Sequence, residues 1–179
     1  MQIYELLKKD HREVKKMFEQ AQGALDDGNL FEAEKVFYKM RTELTAHSKS
    51  EEEVFYQPLK ALARDEKSEE LSWEGQEEHH VIALLLNELS RISVNEDAWK
   101  AKLTVLSELV DHHVEEEEGE IFKVAKKHFS DAEAEEIAEQ MTALKERYKT
   151  MIDDALEEDV EIFTHPMRKI PSEGLRPSA

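Results

Sequence analysis

The chain has 179 residues, with 42 acidic against 24 basic side chains and a formal net charge of −18. That surplus argues against nucleic acid or an anionic membrane as a partner, because a phosphate-binding face needs clustered Lys and Arg. There is no Cys, which excludes disulfides, thiolate chemistry and cysteine-ligated metals, so any bound metal must use nitrogen and oxygen donors.

Five Gly and four Pro beside 40% hydrophobic and 37% charged residues favour one all-α domain of long, water-facing helices. Apolar residues recur at alternating steps of three and four, the mark of helices packed in a bundle. The first stretch carries Tyr4, Leu7, His11, Val14, Phe18, Ala21 and Leu25, and stops at Asp26-Asp27-Gly28-Asn29, where Gly and Asn suit a chain reversal. The second carries Phe37, Met40, Leu44, His47, Glu51, Val54 and Pro58 and is expected to end by Asp65. The third includes His79, Ile82, Leu85, Leu86 and Leu89, up to a break near Ser93-Val94-Asn95. The fourth carries Leu103, Leu106, Val110, His113, Glu117, Ile121 and Val124. Ser130-Asp131-Ala132-Glu133 reads as a capping box that opens a fifth helix reaching Glu158, with Ile137, Met141, Leu144, Tyr148 and either Met151 or Ile152 inward. From Thr164 the residues Pro166, Pro171, Gly174 and Pro177 change the character of the chain. The expected division is therefore a bundle of residues 1–158 and a Pro-containing tail of residues 159–179. No apolar stretch approaches about 18 residues, so a soluble cytoplasmic protein is expected.

Two matched hairpins emerge from a search for internal repeats. His47 and His113 stand 66 residues apart, as do Glu51 and Glu117, while His11 and His79 stand 68 apart. An aromatic follows nine residues after each His of the first pair, at Tyr56 and Phe122. Residues four apart share a helix face, so His47 with Glu51 and His113 with Glu117 each present an imidazole and a carboxylate together. One such pair in so acidic a chain reads as a surface ion pair, and one inward His as a satisfied core residue. Four His and two Glu on four apolar stripes read otherwise, because buried carboxylates are costly unless paired or metal-bound. In an up-and-down bundle with short turns these six lie at similar depth, given about 1.5 Å of rise per residue. The repeat selects His79 over His80, which is expected at the rim or behind the ligands, and His113 over His112; His128 and His165 are expected at the surface.

The residues His11, His47-Ser-Lys-Ser-Glu51-Glu-Glu-Val-Phe-Tyr, Glu-Glu-His79-His-Val-Ile and His113-Val-Glu-Glu-Glu117-Glu-Gly-Glu-Ile-Phe resemble the hemerythrin family, specifically its single-domain bacterial members with the HHE cation-binding motif. The resemblance spans residues 1–158 and implies a four-helix bundle of hemerythrin type with an additional C-terminal helix. It further implies a metal centre of His11, His47, Glu51, His79, His113 and Glu117. Two iron ions with an oxo or hydroxo bridge would sit between them, Glu51 and Glu117 bridging; manganese and zinc suit the same donors. The family's oxygen carriers hold a fifth His one turn before the third helix's ligand, where this chain has Gly75. They also hold an Asp five residues after the fourth helix's His; here the matching acid is Glu117 at four, with Glu118 at five. Reversible oxygen carriage is thus placed in doubt, and an open position at each metal is expected unless Glu118 or another side chain fills the gap.

The expected function is a non-haem di-iron protein that binds and reacts with dioxygen, peroxide or nitric oxide, as an oxidoreductase served by a redox partner or as a sensor. The alternatives are non-enzymatic iron or oxygen binding and storage, and an acidic interaction module with a structural metal. No catalytic side chain is assigned, and the sequence leaves the oligomeric state open.

Overall fold

Helix α1 (Ile3–Asp26) and helix α2 (Leu30–Glu51) are joined by a tight reversal. Gly28 there takes a left-handed φ of +72°, a conformation that costs glycine little, and Asn29 then caps α2 by accepting from the Glu32 amide at 3.2 Å. α2 runs without a break through a π turn, Glu52–Tyr56, into α3 (Gln57–Leu62). The next hairpin repeats the plan: α4 (Glu66–Leu89), then α5 (Asp97–Glu116), a π turn at Glu117–Ile121, and α6 (Phe122–His128). The fifth rod is α7 (Asp131–Glu157), opened by the expected capping box: the Ser130 amide donates to Glu133 Oε2 at 2.8 Å and the Glu133 amide to Ser130 Oγ at 3.3 Å. This computed structural model describes residues 1–63 and 65–157, and among them there is no strand and no helix long and apolar enough to cross a membrane. The tail at 159–179, with His165, lies outside the described residues.

The fold is the expected up-and-down four-helix bundle with an additional C-terminal helix. Two features depart from the sequence reading. Neither π turn was foreseen. The first begins just after an inward glutamate and the second at one, and each uses an i→i+5 turn to bring residues five apart onto one face, so that Glu51 and Tyr56, and likewise Glu117 and Phe122, all point inward. A regular α-helix with a single inward stripe would turn one of Val54, Phe55 and Tyr56 outward, whereas this chain buries all three. In consequence Leu59 takes the core position expected of Pro58, which is only half-buried. On α7, Ile152 faces inward and Met151 is exposed.

The core consists of two apolar layers separated by a polar level. One, at the hairpin turns, holds Phe18, Phe37, Met40, Leu86, Trp99 and Leu106; the other, at the far end, holds Ile3, Leu7, Phe55, Leu59, Phe122 and Met141. Burying one such large side chain stabilises the fold by about 1.5–3 kcal/mol. α7 packs along α2 and α1, the first hairpin.

Candidate metal centre

The polar level between the two layers holds all six residues singled out by the repeat. His11 comes from α1, His47 and Glu51 from α2, His79 from α4, His113 from α5 and Glu117 from the second π turn, and all are buried, the two glutamates completely. Their donor atoms form two groups: His11, His47 and Glu117 within 4.8 Å of one another, and Glu51, His79 and His113 likewise. Glu51 Oε2 lies between the groups, 3.3 Å from His47 Nε2 and 3.4 Å from His79 Nε2, while Glu117 Oε2 is 3.0 Å from His11 Nε2. His79 and His113 bring their Nε2 atoms to 3.0 Å of each other.

Behind each imidazole stands a carboxylate on Nδ1. His11 meets Glu118 at 2.9 Å, His47 meets Asp10 at 3.3 Å, His79 meets Glu52 at 3.1 Å and His113 meets Glu78 at 2.7 Å. A carboxylate only accepts, so each Nδ1 carries the proton and donates it, which leaves the Nε2 lone pair aimed at the centre. This is the arrangement that fixes ring and tautomer in metal-ligating histidines. The pattern keeps the repeat: Asp10 and Glu78 precede His11 and His79, and Glu52 and Glu118 follow Glu51 and Glu117. Each of the latter two crosses to the other hairpin's histidine. The sequence reading passed over Asp10, Glu52 and Glu78 as solvated acids; the repeat, extended by one residue on either side of each ligand, was the signal that marks them. Glu118, which had been weighed as a filler at the metal, is engaged with His11 Nδ1 instead.

Whether a metal fits can be judged from the buried atoms themselves. Both oxygens of Glu51, both of Glu117, and His11 Nε2 are enclosed yet make no hydrogen bond, although nitrogens lie close by. Enclosed acceptors converging without donors are expensive for a protein alone, and a cation satisfies them together. In the metal-free cluster the buried groups share protons: against the burial that lowers it, Glu117 raises the His11 pKa, and against the burial that raises it, Glu51 and His11 lower that of Glu117, so a metal would have to displace a proton from His11. Burial and the neighbouring Glu117 carboxylate push the Glu51 carboxyl well above its usual range. Burial, with His113 and His47 nearby, lowers His79 to about 4, so its imidazole is neutral and able to ligate. Four imidazoles with two carboxylates suit iron, manganese or zinc, and the residues present fit such a group.

At the position where a fifth imidazole would come from the third helix, a Cβ on Gly75 would stand 2.6 Å from Tyr56 Oη. The tyrosine supplied by the first π turn thus fills the gap. Its ring meets the His79 ring edge-on at 5.7 Å between centroids, and its hydroxyl is enclosed without a hydrogen-bond partner. Burial, then the Glu117 and Glu51 charges, raise its pKa well above the usual value, so it stays a phenol. His80 is exposed, and His112 lies outside the centre in a looser group with Glu78 and Glu116. His128 is half-buried and lines a separate surface pocket with Asp65 and Lys67.

On the side of the hairpin turns, a cavity of about 20 Å³ opens directly over the imidazoles, walled by Val14, Leu44, Ile82, Val110 and Val114 with Ser48. It has room for about one water-sized molecule.

Comparison with known proteins agrees with the geometry. The model of the hemerythrin HHE cation-binding domain matches residues 2–125. A curated relative from Nostoc sp. (strain PCC 7120), described as a DNA nickase, is 28% identical over 147 residues, covering 82% of this chain and 40% of that protein. The chain thus spans less than half the length of that relative. A crystal structure of a hemerythrin HHE cation-binding domain-containing protein from Mycobacterium kansasii has the same fold, with a TM-score of 0.74 and 24% identity over 88% of this chain and 93% of that one.

Proposed function

The chain belongs to the hemerythrin HHE cation-binding family, and from that premise we propose that it is a non-haem di-iron protein that binds and reacts with a small molecule such as dioxygen, peroxide or nitric oxide. In this reading His11 and His47 hold one iron, His79 and His113 the other, and Glu51 and Glu117 serve both. The bound pair would supply redox chemistry, and manganese or zinc is the alternative occupant. One observation carries the reading: an apolar cavity for a single small molecule sits against four imidazoles whose tautomers are already fixed.

The chain's own groups have definable tasks. The valines, Leu44 and Ile82 admit a small, weakly hydrated molecule and exclude bulk water. Asp10, Glu52, Glu78 and Glu118 hold the protons on Nδ1 and orient the rings. Tyr56 lies with the other apolar layer, across the centre from the cavity, and keeps a proton on Oη beside His79. Beside Gly75, where a further imidazole would stand, the chain places the Tyr56 phenol, which keeps its proton and would be a weaker ligand than an imidazole. This supports reaction over reversible carriage. A nucleic-acid partner is not proposed: the acidic surplus opposes phosphate binding, and the match to the nickase covers a minority of that protein.

Anaerobic loading with ferrous iron, elemental analysis, and stopped-flow spectra on adding oxygen, peroxide or nitric oxide test the proposal. Two irons per chain, irreversible oxidation in air and measurable peroxide or nitric oxide consumption are expected. An oxygen adduct that disappears on degassing, with no consumption, would restore the carrier; iron that merely accumulates and is released would mark a store.

A further inference from the structure

The two hairpins would give each metal position the same equipment: two imidazoles, the shared carboxylates of Glu51 and Glu117, and a carboxylate behind each ring. The fifth helix breaks that symmetry. α7 lies along the first hairpin and sends Lys145 inward, where its Nζ donates to Asp10 Oδ2 at 2.5 Å, and the same oxygen accepts from His47 Nδ1 at 3.3 Å. Lys145 is the buried lysine among the described residues, its side chain 9% exposed and that of Asp10 7%. The equivalent carboxylates are wetter or meet different partners. Glu118 is 29% exposed and faces the half-exposed Lys8 at 3.5 Å, Glu52 is 38% exposed, and Glu78 faces the exposed His112 at 3.6 Å. A charge at a wetted surface is screened, whereas one in the interior is felt at several times that strength. Residues 2–125 match the family, and Lys145 lies beyond them.

We propose that Lys145 makes the two metal positions electronically unequal: by holding Asp10 it sets a buried positive charge on the His11 and His47 side that the His79 and His113 side lacks. The inference rests on the di-iron reading above. Lys145 draws the Asp10 charge away from the Nδ1 proton of His47, so that imidazole donates less electron density from Nε2. The position it serves is then the easier to reduce, and the first electron goes there, leaving its neighbour oxidised. A purely structural purpose, pinning α7, is already served elsewhere. Lys149 pairs with Glu43 at 2.8 Å, Tyr148 donates to Glu53 at 3.0 Å, and Ile137, Met141 and Ile152 are buried beneath the helix. Lys145 is thus a positioning residue acting through Asp10 and His47.

The test compares the full chain with Lys145→Met and Lys145→Arg, each iron-loaded and titrated with dithionite while the mixed-valent state is followed by electron paramagnetic resonance. Each one-electron step converts one ferric ion to ferrous, the electron coming from dithionite. In the wild type two separated midpoints are expected. In Lys145→Met the higher should fall and the gap should narrow, and Lys145→Arg should restore it. In the zinc-loaded protein, long-range 1H–15N spectra of the imidazoles give a second reading: the His47 ring signals should move in Lys145→Met and those of His79 should not. If Lys145→Met unseats α7, Lys145→Gln retains a donor to Asp10 without the charge and is read in the same way. A wild-type chain holding fewer than two irons overturns the di-iron reading and this inference together. Two irons, with midpoint separation and His47 signals indifferent to the loss of Lys145, overturn this inference alone.

Discussion

Replacing Gly75 by Ala should destabilise the metal-free chain, against the ordinary preference of helices for alanine. Gly75 lies inside α4, where Ala is favoured over Gly by about 1 kcal/mol. The added Cβ, however, would stand 2.6 Å from Tyr56 Oη and 3.0 Å from Cε1 and Cζ, closer than a methyl carbon can approach. Tyr56 has little freedom to retreat: it is wholly buried, with its ring edge-on to Phe55 and to His79 at centroid distances of 5.7 Å in both cases. Overpacking of this kind costs about 1–3 kcal/mol, which outweighs the propensity gain and leaves a net loss of about 1 kcal/mol, or about 2–4 °C in Tm. Tyr56→Phe alone should be close to neutral, because it removes a buried hydroxyl that has no partner to lose. In that background the 2.6 Å contact is gone while Cε1 and Cζ stay at 3.0 Å, so Gly75→Ala should cost less than it does beside the tyrosine, giving a coupling of about 1 kcal/mol across the double-mutant cycle. Urea unfolding of the four chelator-treated proteins, followed by far-ultraviolet circular dichroism, measures it. If Gly75→Ala stabilises by about 1 kcal/mol in both backgrounds, the tyrosine hydroxyl does not occupy the space beside Gly75.

Changing His47 and His113 together to Ala should abolish the binding of two metals while the chain stays helical; elemental analysis that still finds two irons would disprove the ligand assignment. Because burial and the Glu117 carboxylate raise the Glu51 pKa from the usual 4.5, the share of metal-free stability due to Glu51 is present below 4.5 and lost as pH rises through the raised value, opposite in sign to the share of Glu117, whose pKa is lowered. Metal must displace the Glu51 proton, so zinc uptake should weaken as pH falls through the same range and release about one proton fewer in Glu51→Gln, read with an indicator dye. Val110→Phe, which projects into the cavity over the imidazoles, should leave metal content unchanged and slow the reaction with oxygen or peroxide at a stability cost of about 1–3 kcal/mol; an unchanged rate would show that ligands enter elsewhere.

The bundle and the six buried donors were legible in the sequence because helical periodicity and the 66-residue repeat act on the same residues. His47 and Glu51 lie on one apolar stripe, and their counterparts His113 and Glu117 lie on another. What escaped notice has identifiable physical causes. A π turn leaves no periodic trace of its own: it adds one residue to a helix whose flanks still read as α, and so Pro58 was placed where Leu59 belongs. Three of the orienting acids were hidden by abundance, since Asp10, Glu52 and Glu78 stand among 42 acidic residues, while Glu118 was noticed but given a place at the metal. Lys145 was hidden by the opposite bias, because a lysine on a helix reads as solvent-facing until a neighbouring helix brings Asp10 beneath it. Tyr56 was noticed as an aromatic at a fixed distance from His47, but its fit against Gly75 depends on α2 and α4 lying side by side.

The paired π turns bear on ancestry. Each is a one-residue insertion, and deleting a residue there would rotate everything beyond it by about 100°, carrying Phe55 and Leu59 in one half, or Phe122 and Ala125 in the other, out of the core. Such an insertion is hard to acquire once, because the intermediate is a bundle with half its core misplaced. Both halves carry it at matching positions beside the same glutamate, so a single duplication of a hairpin already equipped with its insertion accounts for both more simply than two separate gains. A hairpin of that kind would have met a copy of itself across a twofold axis, with two interchangeable metal positions. In such a history α7, which has no twin among the described residues, would have been the first element to tell the two positions apart.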